Sequence, residues 1–181
     1  MVFARSMTLM ATLLAATSVM NCSADDLSFD DYTKFYFGYV DAVMSIDLQG
    51  QMDQCANVVP EAQNTISSAL DEMDKTSDFW MPLDQKIQKI TDAFTRMVMI
   101  TPNMITNLLN CPAIKGNSDQ LMDWLNQNND PNQMMQKIQA NLVRESLPIF
   151  GHVATGLTDM ARHDMYAFGF EIGMSVKKLI S

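Results

Sequence analysis

Two short segments near opposite ends of the chain set the tightest limit on its fold: FGYVDA at 37–42 and FGFEIG at 168–173. Each reads Phe-Gly-aromatic-x-x-small. On a helical wheel Gly169, Ile172, Gly173, Val176 and Ile180 share one face, so the glycines stand in the middle of an apolar stripe. Glycine in a helix interior costs about 1 kcal/mol relative to alanine, and that cost needs an offset. Close approach of a second helix supplies one. The expectation is that the first helix crosses the last near Gly38 and Ala42 on one side and Gly169 and Gly173 on the other, with Tyr39 and Phe170 sealing the flanks. An echo this short also arises by chance, and that reading stays open at this stage. Membrane dimerisation does not fit: the apolar run at 167–175 contains Glu171 and falls far short of the roughly 20 apolar residues of a span.

The start of the chain reads as a secretory signal peptide. Arg5 precedes an apolar stretch from Met7 to Met20, relieved only by Thr and Ser, and Cys22 and Ala24 stand at the small positions read by signal peptidase. Cleavage before Asp25 divides the chain into a leader, residues 1–24, and one helical domain, residues 25–181. A mitochondrial presequence is the competing reading, and it fits less well because such segments are richer in arginine. Removing the leader leaves two of the three cysteines, Cys55 and Cys111. In an oxidising compartment that parity predicts one disulfide, worth on the order of 4 kcal/mol in the loop-entropy picture. Two buried free thiols are the alternative.

Loss of Arg5 takes the net charge from −9 to about −10. Such a surface repels nucleic-acid phosphates and anionic lipid, and no basic run offsets it.

Apolar residues recur with helical spacing throughout, in about six stretches separated by short Gly, Pro and Asn breaks. The first carries Tyr32, Phe35, Tyr36, Tyr39, Val43 and Ile46 on one side and starts at a capping box formed by Ser28 and Asp31. Pro60 opens a second, with Ala62, Ile66, Ala69 and Met73. A third carries Leu83, Ile87, Ile90, Phe94 and Met97, and a separate helix capped by Thr101 follows Pro102. A short helix with Leu121, Met122, Trp124 and Leu125 comes next. Asp130 and Pro131 open a helix with Met135, Ile138 and Leu142, and Pro148 kinks or ends it. Phe150, Val153, Leu157 and Met160 continue the spacing up to the final helix. Nothing alternates with period two for long enough to make a sheet, so the predicted fold is an all-α, single-domain bundle.

Few residues here carry chemistry. If the segment from Phe150 to Asp164 is one helix, His152, Asp159 and His163 share a face, and Asp159 with His163 at i and i+4 could hold a metal ion. A solvated face is the weightier reading. There is no Cys/His ligand set, His-Glu-x-x-His, phosphate-binding glycine loop or Gly-x-Ser-x-Gly. Neither a catalytic residue nor a cofactor site emerges. The chain has 17 methionines, a residue suited both to filling core gaps and to making adaptable apolar surfaces. Most fit core positions; Met99, Met134 and Met165 are less clearly inward and together form the candidate hydrophobic binding surface.

The leader, the cysteines at helix ends, the aromatic-Gly segment opening the mature chain and the FGFEIG…KKL close resemble a type of small secreted helical protein found in ciliates. That likeness of layout implies a secreted, helical protein and transfers no activity and no functional residue. The resulting expectation is a secreted, non-enzymatic module that binds a hydrophobic small molecule, lipid or apolar protein partner. A structural or self-assembling secreted protein is the alternative, and a metal-dependent enzyme a distant third.

Overall fold

The computed structural model describes residues 27–74 and 82–181; the predicted leader, residues 1–24, lies outside the described residues. Among them the chain is all-α, with eight α-helices where about six were expected: α1 (Phe29–Met44), α2 (Met52–Cys55), α3 (Pro60–Asp74), α4 (Leu83–Leu108), α5 (Ser118–Asn128), α6 (Pro131–Arg144), α7 (Ser146–Ala161) and α8 (Met165–Ile180). Short 3-10 turns at Gln49–Gln51, Ala56–Val58 and Pro112–Asn117 join some of them.

The most extensive helix contact is between α1 and α8. Its geometry follows from the glycines. A methyl group built on Gly169 would collide with the Phe35 carbonyl, and one built on Gly38 with the Tyr166 carbonyl. Phe35 precedes Gly38 by three residues and Tyr166 precedes Gly169 by three, so each glycine lies under the same carbonyl of the other helix. Gly173 repeats the arrangement against Tyr39, where an added methyl would also come 2.8 Å from Ala42 Cβ. Positions rise together along both helices, from Phe35 and Gly169 to Tyr39 and Gly173 and on to the hydrogen bond between Ser45 and Lys177. The helices therefore run parallel, related by a local pseudo-twofold. The edge-to-face contact of Phe35 and Phe168, with ring centroids 5.2 Å apart, packs beside the glycines. Phe170 does not seal this seam as expected: it is 37% exposed, because its backbone and not its ring faces Gly38.

Helix α1 opens on the Ser28 and Asp31 capping box, with Asp31 N–H donating to Ser28 Oγ at 3.2 Å and Ser28 N–H to Asp31 Oδ2 at 2.9 Å. Such a cap contributes about 1 kcal/mol. Ser45, left-handed at φ 56°, ends the helix before Ile46, which the spacing had included. One buried side was expected, yet Phe37 and Val40 are as fully buried as Phe35, Tyr36 and Tyr39. A helix apolar all round belongs in the middle of a core. Here α8 covers the glycine face while the tyrosine hydroxyls reach across to α4.

Those hydroxyls meet α4 at a second departure. Two helices were expected around Pro102, with Thr101 as a cap, but α4 runs through the proline for 26 residues. Proline has no N–H for the carbonyl four residues back, a loss that ordinarily breaks a helix. Side chains reinforce the turn instead. Thr101 Oγ1 donates to the Met97 carbonyl at 2.7 Å, the Tyr39 hydroxyl lies within hydrogen-bonding distance of both, and Tyr36 donates to the Met104 carbonyl. Burial pushes both phenols well above their ordinary pKa, so they stay protonated as donors.

Cys55 and Cys111 are joined, their Cα atoms 5.4 Å apart. Cys55 closes α2, a short helix beyond the end of α1; Cys111 precedes the turn at Pro112–Asn117. Asp130 caps α6 through the amides of Asn132 and Gln133. Pro148 neither kinks nor ends that helix. It lies in the first turn of α7, where its missing N–H removes no intrahelical bond.

Two glycines separate seam packing from helix propensity. Gly151 is exposed in α7, and nothing lies near a methyl built on it. Gly151→Ala is expected to raise the melting temperature by about 1–4 °C, the yield of roughly 0.5–1 kcal/mol of propensity. Gly173→Ala gains the same propensity but overpacks the seam at a typical cost of about 1–3 kcal/mol, and should melt lower than the parent. Thermal unfolding of the two variants checks this; a higher melting point for Gly173→Ala would mean that the seam is not formed.

Candidate functional site

An open cleft of about 320 Å³ lies between α3 and α4, lined by Glu61, Ala62, Thr65, Ile100, Asn103, Met104, Thr106 and Asn107. The helices place these residues in layers. Ala62 and Met104 are buried and Ile100 half-buried, giving an apolar floor, while Glu61, Thr65, Asn103 and Asn107 form a hydrogen-bonding rim. Residues 99, 103 and 106 fall along one side of α4. Met99 is exposed on that side of the helix, one turn before Asn103, and is not among the lining residues. The floor is held in place from beneath, since the Tyr36 hydroxyl that bonds the Met104 carbonyl comes from the central helix.

The candidate methionine surface does not form. Met99 is 38% exposed, but Met134 and Met165 are in the core at 2% and 1%. Their neighbours account for the difference. Met134 is at the start of α6 and Met165 opens α8 right after the α7 turn, where flexible thioethers fill space between helix ends.

The region of His152, Asp159 and His163 is likewise reorganised. Helix α7 ends at Ala161, and His163 adopts a left-handed conformation with φ 59° in the turn, so Asp159 and His163 are not helical i and i+4 partners. His152 instead meets Glu171 of α8, with 2.6 Å between Nδ1 and Oε2. Gly156 packs closely on α8 here: a methyl there would come 3.1 Å from both Glu171 Cβ and Phe168 Cδ2. Burial, followed by the nearby Glu171 and Asp164 carboxylates, raises the Asp159 pKa. Among the described residues no three His, Cys, Asp or Glu side chains come together as a metal-binding group.

A buried acid that the sequence reading passed over lies at the end of the α1–α8 seam. Asp41 is 8% exposed and accepts from the Tyr166 hydroxyl and, at 3.4 Å, from the Leu48 amide. Burial raises its pKa from the ordinary 3.8, Tyr166 and Leu48 counteract, and Asp47 adds to the rise. Its role is structural: it fastens α8 and the turn after α1 together.

Of the cleft residues, Ala62 is legible in the sequence as a core position. The pairing of α3 with α4, which makes a cleft of them, has no local signal. Comparison with protein-family models, curated proteins and solved structures finds no match to this chain.

Asp41 generates a pH prediction. Because its folded pKa is raised, its contribution to stability is complete below the unfolded value and is lost as pH rises through the folded one. Asp41→Asn cannot ionise. Its melting temperature relative to the parent should therefore climb as pH rises from about 3 to 6. Thermal melts across that range test the sign, and a flat or falling difference would contradict the burial assigned to this carboxyl.

Proposed function

We propose that this chain is an exported, non-enzymatic helical protein that binds a small amphipathic molecule in the cleft between α3 and α4. The cleft itself carries the reading: its volume is within the range of small-molecule sites, and polar groups converge on its rim around the half-buried Ile100. The amide and hydroxyl groups of its rim favour an amphiphile over a wholly apolar ligand. The Cys55–Cys111 disulfide supports export. No helix among the described residues is long and apolar enough to cross a membrane. A second reading, assembly through apolar surface, draws on the exposed Phe29, Met122, Leu147 and Phe170.

Equilibrium dialysis with a neutral naphthalene dye tests the proposal. Saturable uptake is expected at one site per chain, and Thr65→Phe, which fills the rim from α3, should weaken it by about tenfold or more. Absence of saturable uptake, or uptake indifferent to Thr65→Phe, would overturn the assignment of the cleft. A defined oligomer in native mass spectrometry, with no dye uptake, would instead favour assembly.

A further inference from the structure

We infer that the α3–α4 cleft selects amphiphiles with a cationic amine head, an inference that rests on the cleft being a binding site at all. The charge lining the cleft and the nearby end of α4 both favour a cation. Of the eight lining residues Glu61 alone is ionisable, and none is basic. Asn103, Thr106 and Asn107 belong to the last turns of α4, the negative end of a helix dipole, and that helix has no basic residue in its last turn to neutralise it. The amino end of α3, which favours an anion, already holds its own in Glu61. Arg96, farther along the same pair of helices, is turned aside to Ser68 at 2.9 Å. The whole chain at −9 adds a field that draws cations and repels anions.

The rim chemistry suits an ammonium group in particular. A protonated amine has three N–H donors and no acceptor. The Glu61 carboxylate, the Thr65 hydroxyl and the side-chain carbonyls of Asn103 and Asn107 offer acceptors around one opening. Beneath them Ile100 is the one half-buried apolar side chain, with Ala62 and Met104 buried behind it, so the start of an alkyl chain rests on Ile100. A carboxylate head in the same place faces Glu61 and the carboxyl end of α4.

Displacement of the neutral naphthalene dye by n-octylamine, n-octanol and n-octanoate, near neutral pH and at low salt, tests the inference. Octylamine is expected to displace the dye at a concentration about fivefold or more below octanol, with octanoate weakest, as one partly exposed opposite charge allows. In Glu61→Gln the ratio of amine to alcohol should fall toward one, and in about 0.5 M salt it should shrink in the parent protein. Equal displacement by amine and alcohol, or a ratio unmoved by Glu61→Gln, overturns the inference and leaves the cleft as a site for neutral ligands. If the dye itself is not held, the cleft assignment falls and the inference with it.

Discussion

The fold depends on how closely α1 and α8 approach. Backbone carbonyls of one helix occupy the space where side chains of the other would be, at Gly38, Gly169 and Gly173. Only glycine permits this, and each glycine gives up about 1 kcal/mol of helix propensity to do so. The seam compensates with dense contact along two parallel helices, and with the polar closures at its ends, where Asp41 meets Tyr166 and Ser45 meets Lys177. Because the two helices are parallel, all intervening chain must travel out and return, and it does so around α1. The middle of α1 is consequently buried on every side.

Burial of α1 has a chemical consequence for α4. Tyr36 and Tyr39 cannot leave their hydroxyls unpaired inside a core, where an unsatisfied polar group costs about 1–3 kcal/mol. They find carbonyls on the two sides of Pro102, at Met104 and Met97. One set of hydrogen bonds thus satisfies the tyrosines and ties α1 to the turns of α4 on either side of its proline. It also fixes the Met104 turn, which forms part of the cleft floor, so the seam and the cleft are linked through a single helix. The disulfide holds the other side of the same region, between the end of α2 and the turn that follows α4.

Much of this was legible from residue spacing. Gly38, Ala42, Gly169 and Gly173 stand where small residues interrupt an apolar stripe, and that pattern has no good local explanation, so it signals a tertiary contact. Cys55 and Cys111 followed from parity once the leader was set aside, and Asp130 with Pro131 is a local signal that works locally. The misreadings share a cause. Pro102 reads as a boundary because a proline ordinarily ends a helix, and the tyrosines that bond the turns on either side of it lie about 60 residues away in sequence. Met134 and Met165 were assigned to the surface because spacing does not reveal what covers a helix end. His152 found Glu171 on another helix, and His163 left the helix altogether at a turn. The cleft was invisible for the same reason: Glu61 and Thr65 on one helix, Asn103 and Asn107 on another, are ordinary polar residues until the two helices are side by side.

The seam makes α1 and α8 one cooperative unit, and native-state hydrogen exchange reads that directly. The backbone amides of the buried middle of α1, about residues 35–43, and of α8, about residues 169–176, should exchange only through global unfolding, with the same and the highest protection in the chain. Adding denaturant should lower both sets together, with the slope of the global transition. Protection in α8 that is lost well before that of α1, through a separate local opening, would contradict a fold organised on the contact between them.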